Sequence, residues 1–445
     1  MHLGVDYGTA WSKLVLRDME ARAGEPEAFV LRPENKRDEY RFPSIVTYYN
    51  DRIYFGWKAE ELRDKPGATA LASLKMRMVD DILGGFHGIP GPLPAGLSEE
   101  DLAVLTVFYL LQEGLSAARE YTRLRKAHPK LSITLGVPMT PVCYPVIQEV
   151  FSRVAARAFW MLKEGRWRRM QILGIHIHDA MAALAWSREA AKGVLKPEQW
   201  VRSEAGAALH WAMWSPKIAD GLYAAVDMGA GTMSTSVFNI VASYDNAARQ
   251  WVKSSIAVFG ASCGAPAMDA IDEILAKQLD SGNGLLLRGK EAVHSATIDA
   301  DESFVEILKQ INENRRSAFK QAYQNHKSTT HWATNSFKGL FLFGGGHRVQ
   351  CLQRRSRKYV WTFSPIDYPT CRLDWPADLR MGMSDWSYGI SDVESFASDL
   401  LVGYGLSFPG AGVFPVENPE SIEPVPVKDL YSNPSWRDSD DLYAK

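Results

Sequence analysis

Residues 3–18, LGVDYGTAWSKLVLRD, and residues 222–240, LYAAVDMGAGTMSTSVFNI, decide how this chain is read. Each starts as an apolar run with an aspartate near its end, Asp6 or Asp227, turns on glycine and threonine, and resumes as an alternating run. Alternation with a period of two around a glycine turn predicts strand–turn–strand in both places. A dinucleotide-binding glycine loop would open a helix, and a Walker loop needs GxxxxGK[ST], which neither segment contains. A hairpin can hold phosphate differently. In such a hairpin the amides of Gly8, Thr9 and Ala10 would turn toward phosphate oxygens, the Thr9 and Ser12 hydroxyls and the Lys13 ammonium would add donors, and Asp6 would orient a hydrated Mg2+. One such turn is a generic loop; two, about 220 residues apart, suggest duplicated halves facing each other across a phosphate.

A third segment, GLFLFGGGHRVQCLQRR (339–355), runs from an apolar strand into three glycines and a basic helix. Glycines there leave room for a nucleoside, and the planar guanidinium of Arg348 suits stacking on a base or sugar. The 445 residues are enough for two or three sizeable cores, and 46% hydrophobic with 23% charged content is that of a globular chain. Fifty basic against fifty-two acidic side chains leave a net charge of -2, which gives no bulk reason to expect nucleic acid or an anionic membrane as partner. Cys143, Cys263, Cys351 and Cys371 are far apart, so reduced thiols are expected rather than a disulfide framework or zinc site. The first residues show no basic-then-apolar leader and the run 103–112 is shorter than a membrane span, so a soluble, cytoplasmic protein is expected.

With these motifs in this order, the chain resembles the actin-like ATPase superfamily, and within it the nucleotide-binding domain of the Hsp70 chaperones and their short bacterial relatives. VDYGTAWSK is similar to the first phosphate motif, VDMGAGTMSTSV to the second and FLFGGGHRVQ to the adenosine motif. RFPSIVTYYNDRIYFGWKA (41–59), LSITLGVPM, IHIHDAMAALAW and SFASDLLVGYGLSFPGAG (395–412) extend the likeness, which is spread over residues 1 to about 350 and again near 400. The resemblance implies an α/β fold of two ribonuclease H-like lobes with a nucleotide cleft between them. It places Asp6 and Asp227 at Mg2+ and Gly8, Thr9, Gly229, Gly231 and Thr232 around the phosphates of ATP or ADP. It also puts Gly345, Gly346 and Arg348 at adenosine, Glu313, Arg316 and Lys320 at adenine and ribose, and Lys75 beside the attacking water.

Two departures weaken turnover more than binding. Where the chaperones have glutamate then proline in the connecting motif, this chain has His178 and Asp179, leaving Asp179 as the candidate compensating acid. Where they have an aspartate two residues after the second motif's threonine, it has Ser234. Backbone phosphate contacts do not depend on such side chains, so binding with slow hydrolysis is expected.

The implied layout is a first lobe at 1–222, with 187–221 as an accessory helical insertion, a second lobe at 223–412 and an irregular tail at 413–445. The length leaves no room for the chaperones' peptide-binding half. The expectation is therefore a slow, Mg2+-dependent ATP hydrolase whose conformational switch acts on a protein partner. The alternatives are a nucleotide-gated interaction protein, a filament-forming homo-oligomer or a small-molecule kinase. In 187–221, packing is the favoured role for Trp200, Trp211 and Trp214, and helix-surface charge is favoured over nucleic-acid contact for QRRSRKY (353–359).

Overall fold

The computed structural model describes residues 1–21, 28–33, 40–79, 93–94, 96–124, 130–138, 145–167, 173–192, 200–245, 249–264, 267–278, 302–325, 337–348, 357, 368–372, 374–381, 390–410 and 415–417. They form a mixed α/β fold with three β-sheets. Both expected hairpins are present. Strands β1 (His2–Asp6) and β2 (Trp11–Arg17) pair antiparallel with Asp6 opposite Lys13.

The first sheet grows from this hairpin. Strand β3 (Ala28–Val30) adds antiparallel to β2, and β4 (Phe42–Pro43) pairs with the start of β2. A small sheet of β5 (Ile45–Tyr49), β6 (Arg52–Phe55), β7 (Thr69–Ala72) and β9 (Ile175–His176) follows. On the other side of β1 lie β8 (Ser132–Val137) and β10 (Val201–Ser203), both parallel. The second sheet repeats the pattern: β11 (Gly221–Met228) and β12 (Met233–Asp245) are antiparallel, β13 (Gln250–Gly264) extends β12, and β14 (Phe337–Phe343) lies parallel to β11. Each third strand also gains a late parallel neighbour, β15 (Leu379–Met381) on β3 and β16 (Val416–Glu417) on β13.

Alternation along the strands sorts side chains into layers. Leu14 and Leu16 of β2 enter one core with the long helices, whereas Val15 between them faces the opposite way. In β11, Leu222, Ala224 and Val226 face one core and Tyr223 and Ala225 another. The faces turned toward each other share a central core with two helices. Numbered in chain order, the helices are α1 (Gly56–Leu62), α2 (Leu74–Arg77), α3 (Glu99–Leu124), α4 (Pro145–Glu164), α5 (Ile177–Ala190), α6 (Glu204–Trp214), α7 (Met268–Gln278), α8 (Glu302–Asn325) and α9 (Ile390–Leu406). The central pair is α6 and α9, α3 and α4 cover the outer face of the first sheet, and α7 and α8 that of the second. Close packing of the central pair needs Gly405, where a Cβ would strike the Ala207 carbonyl.

Local chemistry explains the helix starts. Ser98 and Asp101 form reciprocal backbone–side-chain bonds of 3.4 and 3.2 Å at the head of α3, a capping box. Asp101 also binds Arg157 of α4 at 2.8 Å and Arg188 of α5 at 2.6 Å, tying three helices together. Helix α3 contains a 24-residue stretch, Glu99–Thr122, apolar and long enough to cross a membrane by composition, but it is largely buried inside the fold. Its apolarity is that of a core helix.

The described residues of 187–221 supply the end of α5, the edge strand β10, α6 and the first residue of β11. Within that stretch Trp211 meets Phe341 edge-on and Trp200 packs on Phe159, whereas Trp214 is 53% exposed while stacking on Phe408. The tail contributes β16; residues 418–445 lie outside the described residues, as does QRRSRKY except Arg357. Among the described residues, Cys263 and Cys371 are free thiols.

Candidate functional site

The two hairpins end at one cleft. Asp6 is the last residue of β1, Asp227 the second-last of β11, and both line a space of about 960 Å3, its open mouth included. Gly8, Thr9 and Ala10 line it from the first turn, and Gly229, Ala230 and Thr232 from the second. Gly344, Gly345 and Gly346, which follow β14, form a third wall. Gly344 has φ +77, and a Cβ there would collide with Asp227 Oδ1, so glycine is required for the backbone to come this close to the aspartate.

Hydrogen bonding divides the turn amides into two groups. The Gly8 amide donates to the Asp6 carbonyl at 3.1 Å and the Gly229 amide to the Thr232 carbonyl at 3.0 Å, so these two, expected to face a ligand, close their own turns. Among the described residues the amides of Thr9, Ala10 and Ala230 have no backbone acceptor. They are the donors these turns offer to the cleft.

Charges concentrate at the base of the cleft. Lys13 Nζ donates to Asp6 Oδ2 at 3.0 Å. Lys75, from the short helix α2 and 3% exposed, pairs with Glu204 at the start of α6. Asp227 stands with these two pairs, and Asp272, Asp399 and Arg41 also line the cleft. Burial, together with the neighbouring Glu204 and Asp6 charges, pushes the Asp227 carboxyl up to about 7. One edge of Asp227 reaches the cleft, but the surrounding protein desolvates the rest. Burial raises Glu204, Lys75 opposes that rise and Asp6 adds to it. Burial would lower Lys13, yet Asp6, Asp399 and Asp227 together hold its ammonium above the usual value. Repulsion among the carboxylates is what a bound cation would relieve.

Among the described residues no three His, Cys, Asp or Glu side chains converge into a direct metal cage. A hydrated cation such as Mg2+ keeps several waters and needs only one or two carboxylates plus substrate phosphate oxygens. Asp6 and Asp227 would hold it.

The cleft gathers Asp6, Gly8, Thr9, Ala10, Lys13, Lys75, Asp227, Gly229, Thr232, Gly345 and Gly346 from the expected set. Gly231 stands behind it, against Met76 and Thr9. Asp179 does not join: it is exposed in the first turn of α5, beside β9 on the small sheet. Glu313 and Lys320 are exposed on α8 and Arg316 is partly so, and none lines the cleft. Arg348 ends the 3-10 turn Gly345–Arg348; its side chain lies outside the described residues.

Sequence reasoning missed Glu204, Trp11, Arg41 and Asp399, all of which line the cleft. Glu204 carried a readable signal: it follows Ser203, which caps α6 by accepting from the Gly206 amide at 3.2 Å, and precedes the run of small residues AGAA. Asp399 is 5% exposed and accepts from Tyr40 Oη at 2.8 Å, a partnership across 359 residues that no local pattern announces. No protein-family model matches this chain, and no curated protein proved similar to it.

Proposed function

We propose that the cleft binds ATP with Mg2+ and hydrolyses it slowly, the change from ATP to ADP acting as a conformational switch on a protein partner. The observation that carries this reading is the repeated strand pattern. Two sheets with the same order of pairings each deliver an aspartate and a glycine hairpin to one cleft, as expected of the two lobes of an actin-like, Hsp70-like ATPase.

The residues divide the work. The amides of Thr9, Ala10 and Ala230 and the Lys13 ammonium bind phosphate oxygens, and the glycines after β14 leave space for the nucleoside. Mg2+, when bound, would neutralise charge on the phosphates. Lys75 stabilises charge on the terminal phosphate during attack by water, and Glu204, hydrogen-bonded to Lys75, orients that water and accepts its proton. Glu204 thus fills the role for which Asp179 stood as candidate. The acid is present, which removes one of the two reasons for expecting weak turnover; Ser234, at the position of the other, remains. Ligand contacts from both hairpins let nucleotide state bias the relative placement of the two sheets.

ATP binding and phosphate release with and without Mg2+, in the parent chain and in Asp6→Ala and Lys75→Ala, test this. Mg2+-dependent binding that weakens in Asp6→Ala, with release lost in Lys75→Ala, is expected. A parent that binds no nucleotide overturns the reading. Binding without release in the parent replaces hydrolysis with nucleotide-gated interaction.

A further inference from the structure

Ser73, between β7 and α2, has φ 57 and ψ 28, a left-handed backbone that a non-glycine side chain seldom adopts. It is 3% exposed, and although it occupies the N-cap position of α2 its side chain makes no capping bond. Its Oγ donates instead to Asp269 Oδ2 at 2.8 Å, a residue 196 positions away in the first turn of α7. Asp269 is itself held to the second hairpin, because its amide donates to the Ala230 carbonyl at 2.7 Å. The α2 turn makes a second contact in the same direction: Met76 packs so closely on Gly231 that a Cβ there would collide with its side chain. Between Ser73 and Met76 stands Lys75, directed to Glu204. A backbone held in a sparsely populated conformation persists where surrounding contacts over-determine it, and here those contacts come from the second sheet's hairpin and α7.

We propose that Ser73 is a positioning residue: its bond to Asp269 fastens the α2 turn to the second hairpin, so that closing the cleft and placing Lys75 are one event. The catalytic consequence rests on the nucleotide reading above, whereas the fastening itself does not. When the bond opens, α2 moves with the first sheet, Lys75 leaves its place beside the ligand's terminal phosphate, and the turn amides of 229–231 lose their cover. Nucleotide held by the hairpins stays bound, since Ser73 and Asp269 are not among the residues lining the cleft.

Two measurements test this on the full chain: hydrogen exchange without ligand, and ATP affinity with single-turnover phosphate release. The variants are Ser73→Gly, which tolerates the left-handed backbone and removes only the hydroxyl, Asp269→Asn, and the double variant. Asp269→Asn keeps the α7 backbone and removes the charge that makes the bond strong. Exchange at residues 74–79 and at the hydrogen-bonded Gly229 amide is expected to rise about tenfold in Ser73→Gly, the scale of one hydrogen bond to a charged group. The double variant should rise no further, and exchange at 104–111 in the core of α3 should stay as in the parent. Phosphate release should slow about tenfold or more with ATP affinity within about threefold, a split that general loosening would not produce. Additive effects in the double variant, unchanged exchange at 74–79, or a uniform rise that includes 104–111 would each overturn the fastening. Changed exchange with an unchanged release rate would overturn the positioning of Lys75. A parent that binds no ATP refutes the nucleotide reading and with it the catalytic role of Ser73, while exchange still decides the fastening.

Discussion

Replacing Lys75 with methionine keeps the length and shape of a buried side chain and removes its charge. Lys75 is 3% exposed and Glu204 13%, so the pair is largely out of water. Two unit charges about 4 Å apart attract by ~4 kcal/mol at an effective dielectric of about 20, and stripping one partner from a buried pair costs roughly 3–5 kcal/mol. Because the pair borders an open cleft, the lower end applies, and a loss of about 3 kcal/mol is expected at pH 8. The loss depends on pH in a definite direction. Glu204 is already raised by burial, with Asp6 adding to the rise, and Lys75 is the largest influence holding it down, so Lys75→Met raises it further. A carboxyl whose folded pKa exceeds its unfolded one binds more protons in the folded state. Its unfavourable contribution therefore grows as pH rises from the ordinary carboxylate range through the folded value. Urea unfolding of Lys75→Met, Glu204→Gln and the double variant between pH 5 and 8 measures both effects. The double variant should recover about 2 kcal/mol or more relative to the sum of the single losses at pH 8, and Lys75→Met should lose less at pH 5. Additive losses, or a Lys75→Met penalty that shrinks as pH rises, would refute the pairing.

Asp179→Ala should leave phosphate release within about twofold of the parent, whereas Glu204→Gln should lower it by about a hundredfold, the scale of general acid–base catalysis; equal effects in a release assay would refute the assignment. Gly344→Ala should destabilise the fold by about 2 kcal/mol or more, since it adds left-handed strain to a collision with Asp227, and unchanged thermal unfolding would count against this geometry. His2 and His210 are held neutral by burial and by Arg202, with pKa values lowered to about 4 and about 3. Below an unfolded value of 6.5 the unfolded chain takes up the proton first, so stability should fall as pH drops from about 6.5 toward 4, by up to about 1.4 kcal/mol per unit for each histidine. His210→Gln should flatten that slope in urea titrations over the same window.

The strand–turn–strand units at 3–18 and 222–240 and the strand before the glycines at 344–346 were legible in the sequence, because alternation and turn chemistry are written within a dozen residues. Asp6 and Asp227 could be picked out for the same reason: each ends a strand whose partner returns immediately. The acid beside Lys75 could not. Asp179 and Glu204 both open helices rich in alanine, and only the sheet distinguishes them. The strand before Asp179 joins the edge of the small sheet, while the strand before Glu204 lies parallel to β8 in the first sheet and opens at the cleft. The same limit hid Asp399, whose place depends on α9 packing back between the two sheets, and Ser73, whose bond spans nearly two hundred residues. Local pattern determined which segments are strands and where the chain can approach a ligand. Long-range pairing decided which charged side chains meet there, because that depends on strand neighbours far apart in the chain.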